Sequence, residues 1–244
     1  MRLTDFRVLT FDCYGTLIDW ESGLFAAMQP LLVRAPVTLP RDDVLATFAQ
    51  HESRQEAAAP TMPYADVLSH VHAQLARTWG VVPDPGESAA FGGSVGDWPA
   101  FDDTVTALQY LKRHYKLAIL SNVDRASFAA TLPRLGVTFD AVFTAQDIGS
   151  YKPDPRNFAY LLEKLAAMGV ASTDILHTAQ SLFHDHAPAN AAGLASAWID
   201  RRQDAAARGG RWGATSPPPQ GVRYDFRFIS LAEMAQTHQA EARG

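Results

Sequence analysis

Val8-Leu9-Thr10-Phe11-Asp12-Cys13-Tyr14-Gly15-Thr16-Leu17 is the stretch from which the rest of the chain can be read. It begins as a short run rich in β-branched and aromatic residues, the pattern of a strand covered on both faces within a parallel sheet. The run ends abruptly in a carboxylate, Asp12, followed by a glycine and a hydroxyl. In open α/β sheets the carboxyl ends of the strands form the edge where ligands bind, which is where this reading puts Asp12. Gly15 lets the chain turn there, and Thr16 offers a hydroxyl to hold the carboxylate.

Downstream of this strand, from Asp19 to about Trp98, the spacing is helical throughout. Leu24, Phe25, Met28, Leu31 and Leu32 are followed by Val44, Leu45 and Phe48 and then by Val67, Leu68, Val71 and Leu75. Prolines punctuate the segment, and Asp42 and Asp84 occupy expected N-cap positions. A helical unit inserted directly after the first strand can fold over Asp12 as a cap and keep water from it.

After Trp98 the pattern alternates between helix and strand. Asp103 or Thr104 can cap a helix through Leu108 and Leu111, and Leu117 to Leu120 form a buried strand ending at Ser121-Asn122. Asp124 starts a helix, Phe139 to Phe143 form a strand, and Lys152-Pro153-Asp154-Pro155 introduces another helix, with Pro155 in its first turn. Ile175 to Thr178 are strand-like, a helix begins near Asp185, and Leu194 to Ile199 form a further strand. Arg208-Gly209-Gly210-Arg211 and Ser216-Pro217-Pro218-Pro219 place a long surface loop at about 201–221. Tyr224 to Phe228 can add an edge strand, and Ser230 can cap a last helix. The expected fold is therefore α/β: a Rossmann-like, doubly wound parallel sheet built from 1–17 and 99–244, with an α-helical cap over 18–98.

Composition narrows the function classes. The 244 residues carry 21 basic and 26 acidic side chains, a net charge of -5 that points to no nucleic-acid or acidic-membrane partner. A single cysteine, Cys13, cannot form an internal disulfide, and charges at Asp5 and Arg7 interrupt any signal-peptide pattern, so a cytoplasmic location is expected. No apolar run approaches the roughly 20 residues needed to cross a bilayer. An exposed apolar cap face would serve a homodimer.

Four strand ends carry polar residues in one order: Asp12 to Thr16, Ser121-Asn122, Tyr151-Lys152-Pro153-Asp154, and His177 to Asp185, with Asp185 eight residues before Gly193. Together they resemble the motifs of the haloacid dehalogenase (HAD) superfamily. The resemblance implies that Asp12 is a nucleophile, that Ser121 and Asn122 bind an anionic group of the substrate, and that the ammonium of Lys152 faces Asp12. A lysine there would favour the ionised carboxylate and keep its pKa low. The HAD phosphatases carry two further aspartates, one where this chain has Tyr14 and one where it has Ser181. A phenol is a poor acid for a leaving alkoxide, and a hydroxyl is a weak Mg²⁺ ligand. A halide leaves without a proton. The D-x-Y-G-T form thus resembles the L-2-haloacid dehalogenases, whose aspartate displaces halide from Cα and whose ester is then hydrolysed without metal or other cofactor.

That resemblance implies a small 2-haloacid substrate, with catalytic Asp12, Thr16, Lys152 and Asp185 and substrate contacts from Tyr14, Ser121, Asn122 and Ser181. The dehalogenase cap also supplies an arginine for the halide; Arg41 and Arg54 are the candidates here. The chain departs from the pattern at Phe158, where those enzymes place a tyrosine, and at Leu182 and His184, where they place an asparagine and a tryptophan. The alternatives are a phosphatase with a diminished Mg²⁺ site and a non-catalytic relative that binds a small carboxylate. Histidines 177, 184 and 186 cluster near a helix start, but no carboxylate or cysteine pattern at ligand spacing accompanies them.

Overall fold

The first strand, β1 (Val8–Phe11), is buried along its whole length in the computed structural model, which describes residues 1–36, 38–203 and 213–244. Its side chains alternate between two cores. Leu9 and Phe11 join one apolar cluster and Val8 the other, as the two-residue period of a strand requires. Cys13 packs with Leu9 and Phe11, so its thiol lies on the face away from the Asp12 carboxylate.

The helices that follow are α1 (Trp20–Ala27), α2 (Gln29–Arg34), α3 (Arg41–Ala58), α4 (Tyr64–Thr78) and α5 (Pro85–Gly92). Asp19 and Asp84 cap α1 and α5, accepting from the backbone N–H groups of Ser22 and Glu87. Asp42 does not cap α3. That helix starts two residues earlier, with Pro40 at the N-cap, which leaves Asp42 in the first turn. A carboxylate there still favours the positive end of the helix dipole. The apolar faces of α3 and α4 run into the same cluster as Leu9 and Phe11, so sheet and helices share one core.

The chain then continues through α6 (Thr104–Leu111), β2 (Lys116–Ser121), α7 (Arg125–Thr131), β3 (Ala141–Thr144), α8 (Ala145–Ile148), α9 (Pro155–Ala167), β4 (Ile175–Ala179), α10 (Ala187–Ala191), β5 (Ala195–Ile199), β6 (Phe226–Phe228) and α11 (Leu231–Glu241). Asp124, Asp154 and Ser230 cap α7, α9 and α11 as expected. Asp103 stands at the N-cap of α6 without capping it. Arg201 and the N–H of Ala232 take its carboxylate instead, and the Thr104 hydroxyl donates to the carbonyl of Leu17. Before α10 the chain makes a single π turn, Leu182–His186, where an ordinary helix start was expected. Such turns concentrate at functional sites. Arg208-Gly209-Gly210-Arg211 lie outside the described residues.

All strand pairings are parallel, and the sheet order is β3-β2-β1-β4-β5-β6. The sheet is therefore the expected doubly wound α/β sheet. β1 lies between β2 and β4, with Phe11 level with Ile119 on one side and Thr178 on the other. That register brings Asp12, Ser121-Asn122 and Gln180-Ser181 to one edge, where the direction of winding reverses and a crevice opens. Among the described residues no helix is long and apolar enough to cross a membrane.

Candidate active site

Just beyond β1 the backbone turns at Gly15, whose φ of 95° lies in the region that favours glycine, and the Gly15 N–H reaches the carbonyl of Ile18 at 2.8 Å. The turn folds Thr16 back on Asp12. Its hydroxyl donates to Asp12 Oδ2 at 2.8 Å and accepts from the N–H of Gln180 at 2.9 Å, so its proton is committed to the carboxylate. Arg201 holds the same turn from below through the carbonyl of Thr16.

Lys152 arrives from the loop before α9 and is almost wholly buried. Its ammonium donates to Asp12 Oδ1 at 2.9 Å, to Asp185 Oδ1 at 2.6 Å and to the carbonyl of Leu120 at 3.0 Å. The side chain of Asn122 positions this loop, donating to the Lys152 carbonyl and accepting from the Lys152 N–H. Asn122 also lines the cavity that holds Asp12, and its amide NH2 has a second hydrogen beyond the one Lys152 takes. Ser121 is different: its hydroxyl is buried, has no partner among the described residues, and faces the same cavity as Asp12.

Burial would lower the Lys152 pKa, but the two carboxylates outweigh it and raise it, so the ammonium stays charged. The expectation that Lys152 also keeps Asp12 low is not met. Burial dominates and raises the Asp12 carboxyl, Lys152 counters it, Asp185 adds to the rise, and the hydrogen bonds from Lys152 and Thr16 counter it again. One ammonium serves two carboxylates, Asp12 and Asp185. Burial acts on Asp185 too, but Lys152 and then His177 hold it well below the carboxylate range.

His177 was passed over in the sequence as one of a histidine cluster. Its Nε2 lies 3.0 Å from Asp185 Oδ1 and its Nδ1 lies 2.9 Å from the Thr10 hydroxyl, so it orients Asp185 from inside the sheet. The other two histidines go elsewhere. His186 bridges Ser196 and the carbonyl of Ala179, His184 contacts Ser181, and burial lowers each pKa to about 4. Ser181 contacts the N–H and ring of His184 and the hydroxyl of Thr215. Phe158 is buried beneath the site with its ring edge-on to His177, and does not face the cavity. Tyr14 does face it, but its hydroxyl is paired with Thr131 at 2.9 Å, and burial pushes its pKa well above the ordinary value.

Between the sheet edge and the helices lies a cavity of about 50 Å³. At about 10–15 Å³ per water it admits a ligand of only a few heavy atoms. Asp12, Ser121, Lys152 and Asp185 face it from the sheet, and Trp20, Glu52, Glu56 and Tyr64 from the helices. Neither candidate arginine reaches it. Arg54 is exposed and lines an outer depression along α3, and Arg41 donates to Ser22 and lies over the Phe25 ring. Helix geometry explains the miss. The buried face of α3 passes through Leu45, Phe48, Glu52 and Glu56, and Arg54 lies about 200° around the helix from Glu52. The same spacing extrapolated past Phe48 would have found the two glutamates.

The donor set does not fit Mg²⁺. Asp12 and Asp185 share the Lys152 ammonium, and the hydroxyls of Tyr14 and Ser181 are bound to other side chains. Among the described residues no three His, Cys, Asp or Glu side chains are placed to hold a metal ion.

The model of a family described as haloacid dehalogenase-like hydrolase matches residues 6–193. A curated relative, (S)-2-haloacid dehalogenase 4A of Burkholderia cepacia, is 26% identical over 167 residues, 65% of this chain and 69% of its own length. Among solved structures, the L-2-haloacid dehalogenase of Xanthobacter autotrophicus with chloropropionic acid covalently bound superposes with a TM-score of 0.77 at 23% identity, covering 96% of this chain and 98% of that one. A magnesium-bound HAD hydrolase of Bacillus subtilis, YfnB, superposes with a TM-score of 0.74 at 18% identity, covering 98% and 100%. At these identities the structural likeness establishes the fold.

Proposed function

The chain belongs to the haloacid dehalogenase-like hydrolases, and from that premise we propose that it displaces halide from short 2-haloalkanoic acids through an ester on Asp12, without a metal. The observation that carries this reading is a nearly buried carboxylate held between the Thr16 hydroxyl and the Lys152 ammonium, with a phenol bound to Thr131 where an alkoxide-releasing enzyme needs an acid. In the first step an Asp12 oxygen forms a bond to Cα, and the carbon–halogen bond breaks with its electron pair leaving on the halide. The hydroxyl of Ser121 is free to donate to the substrate carboxylate. In the second step water adds to the carbonyl carbon of the Asp12 ester, the 2-hydroxy acid leaves, and Asp12 is restored as a carboxylate. Asp185 Oδ2, buried and without a partner among the described residues, orients that water. Helices α1, α3 and α4 act as the cap that closes the site.

Halide release from bromoacetate and from each enantiomer of 2-chloropropionate tests this. Release is expected from bromoacetate and the (S) enantiomer, with the same rate in EDTA. Loss of activity in EDTA, restored by Mg²⁺, would favour the phosphatase-like alternative, and no release from any of the three would remove the dehalogenase assignment.

A further inference from the structure

The helical wall of the cavity carries two carboxyl groups that the displacement at Asp12 does not use. Glu52 and Glu56 are four residues apart on α3, only 6% and 7% exposed, and both face the cavity that holds Asp12 and Lys152. Glu52 accepts the Tyr64 hydroxyl at 2.6 Å, whereas Glu56 makes no hydrogen bond or ion pair with any described residue. A carboxyl that is nearly buried and has no protein partner is costly unless an occupant of the cavity it lines supplies one. The Ser121 hydroxyl, buried and unpartnered among the described residues, lines the same cavity. An occupant of the cavity would therefore touch the Asp12 nucleophile on the sheet side and a carboxyl group on the helical side.

Displacement at carbon expels the leaving group on the side opposite the nucleophile. Resting on the Asp12 reading above, we propose that Glu56 donates its proton to the departing halide, with Glu52 as the positioning residue that keeps that proton in place, and that the site thereby accepts poor leaving groups, fluoride above all. Fluoride is the most basic of the halides and gains most from a proton, while bromide needs none. As the carbon–halogen bond breaks, its electron pair takes the Glu56 proton, leaving HX and a Glu56 carboxylate. When water opens the Asp12 ester, one of its protons leaves with the hydroxy acid and the other returns to Glu56. The sum is RX + H₂O → ROH + HX.

The charges around Glu56 are consistent with this role. Burial raises its carboxyl well above the ordinary value, Glu52 raises it further, and Lys152 opposes. Burial brings Glu52 itself to about 7 against the pull of the Tyr64 hydroxyl. Tyr64 from α4 and Tyr151 beside Lys152 are held neutral by burial, and His184, which borders the same space, is neutral too. Asp12 and Asp185 line the same cavity as Glu56, and the single charge of Lys152 balances only one of the two carboxylates. Burial and Glu52 thus both favour the protonated form of Glu56 that a proton donor needs.

The test compares turnover of fluoroacetate and bromoacetate from about pH 5 to about pH 9 by wild type, Glu56→Gln and Glu52→Gln. Glu56→Gln is expected to lower the fluoroacetate-to-bromoacetate ratio by about 10²-fold or more. In wild type that ratio should fall at alkaline pH, as Glu56 loses its proton. Glu52→Gln should move the fall to lower pH, because it removes the charge that raises Glu56. A purely structural role would change both substrates together and leave the ratio and its pH dependence alone. That result, or bromoacetate turnover by wild type with none of fluoroacetate, overturns the proton-donor role while leaving displacement by Asp12 intact. No halide from bromoacetate overturns the Asp12 reading itself.

Discussion

Replacing Asp12 with asparagine is expected to lower halide release by about 10⁴-fold or more while leaving the protein folded. The loss follows from the chemistry: an amide oxygen cannot form the ester that the second step hydrolyses. The fold survives because Asn is isosteric with Asp and its one amide oxygen keeps one of the two contacts, from Thr16 or from Lys152, and because Lys152 retains Asp185 as a counter-charge at 2.6 Å. Burial already raises the Asp12 carboxyl, so its charge costs the folded state stability, and removing it relieves part of that cost. Thermal unfolding followed by circular dichroism alongside the halide assay separates the two effects. Residual turnover within about tenfold of wild type would mean that the nucleophile lies elsewhere.

The second large effect is expected at Lys152. Lys152→Ala should cost about 10²-fold or more in turnover, the loss typical of removing a preorganised charge, and should destabilise the fold by about 3–5 kcal/mol. Without the ammonium, Asp12 and Asp185 are two buried carboxylates with no cation between them. Each then rises in pKa. Because Asp12 must be ionised to attack, the acid limb of the pH–rate profile moves to higher pH in the variant. For stability the sign is set by Asp185, whose carboxyl is held below its ordinary value of 3.8 in the folded state. Its contribution is present at neutral pH and is lost as pH falls below that value, a dependence that Lys152→Ala should flatten. Cys13→Ala is the control: its thiol packs on the other face with Leu9 and Phe11, and turnover should change far less. Equal losses in the two variants would mean that Lys152 does not serve Asp12.

The sheet edge was legible because each of its groups sits in a short local signal. Asp12, Gly15 and Thr16 follow an apolar strand directly, Lys152 and Asp185 stand at fixed places relative to strand ends, and the parallel register brings them together. The helical wall was harder to read, because α3 carries both charged and apolar residues on its buried side and the glutamates look like solvent-facing groups. Phe48, Glu52 and Glu56 follow one four-residue spacing, yet Arg54 and Arg41 seemed better suited to a halide by chemistry alone. Asn122 shows another gap. It stands at the strand end as read, but its bonds to the Lys152 backbone depend on a loop 30 residues away. His177 reads as an interior strand residue, and only the approach of Asp185 makes it part of the site.

The central claim, that Asp12 is the group esterified and then regenerated, is tested most directly by one turnover of bromoacetate in ¹⁸O-water followed by mass analysis of the peptide containing Asp12. Water that adds to the ester carbonyl leaves its oxygen on the Asp12 carboxylate, so the label is expected in that peptide and the glycolate from the first turnover is expected to be unlabelled. Label in the glycolate with none in the Asp12 peptide would mean that water attacks the substrate carbon directly and would contradict the account.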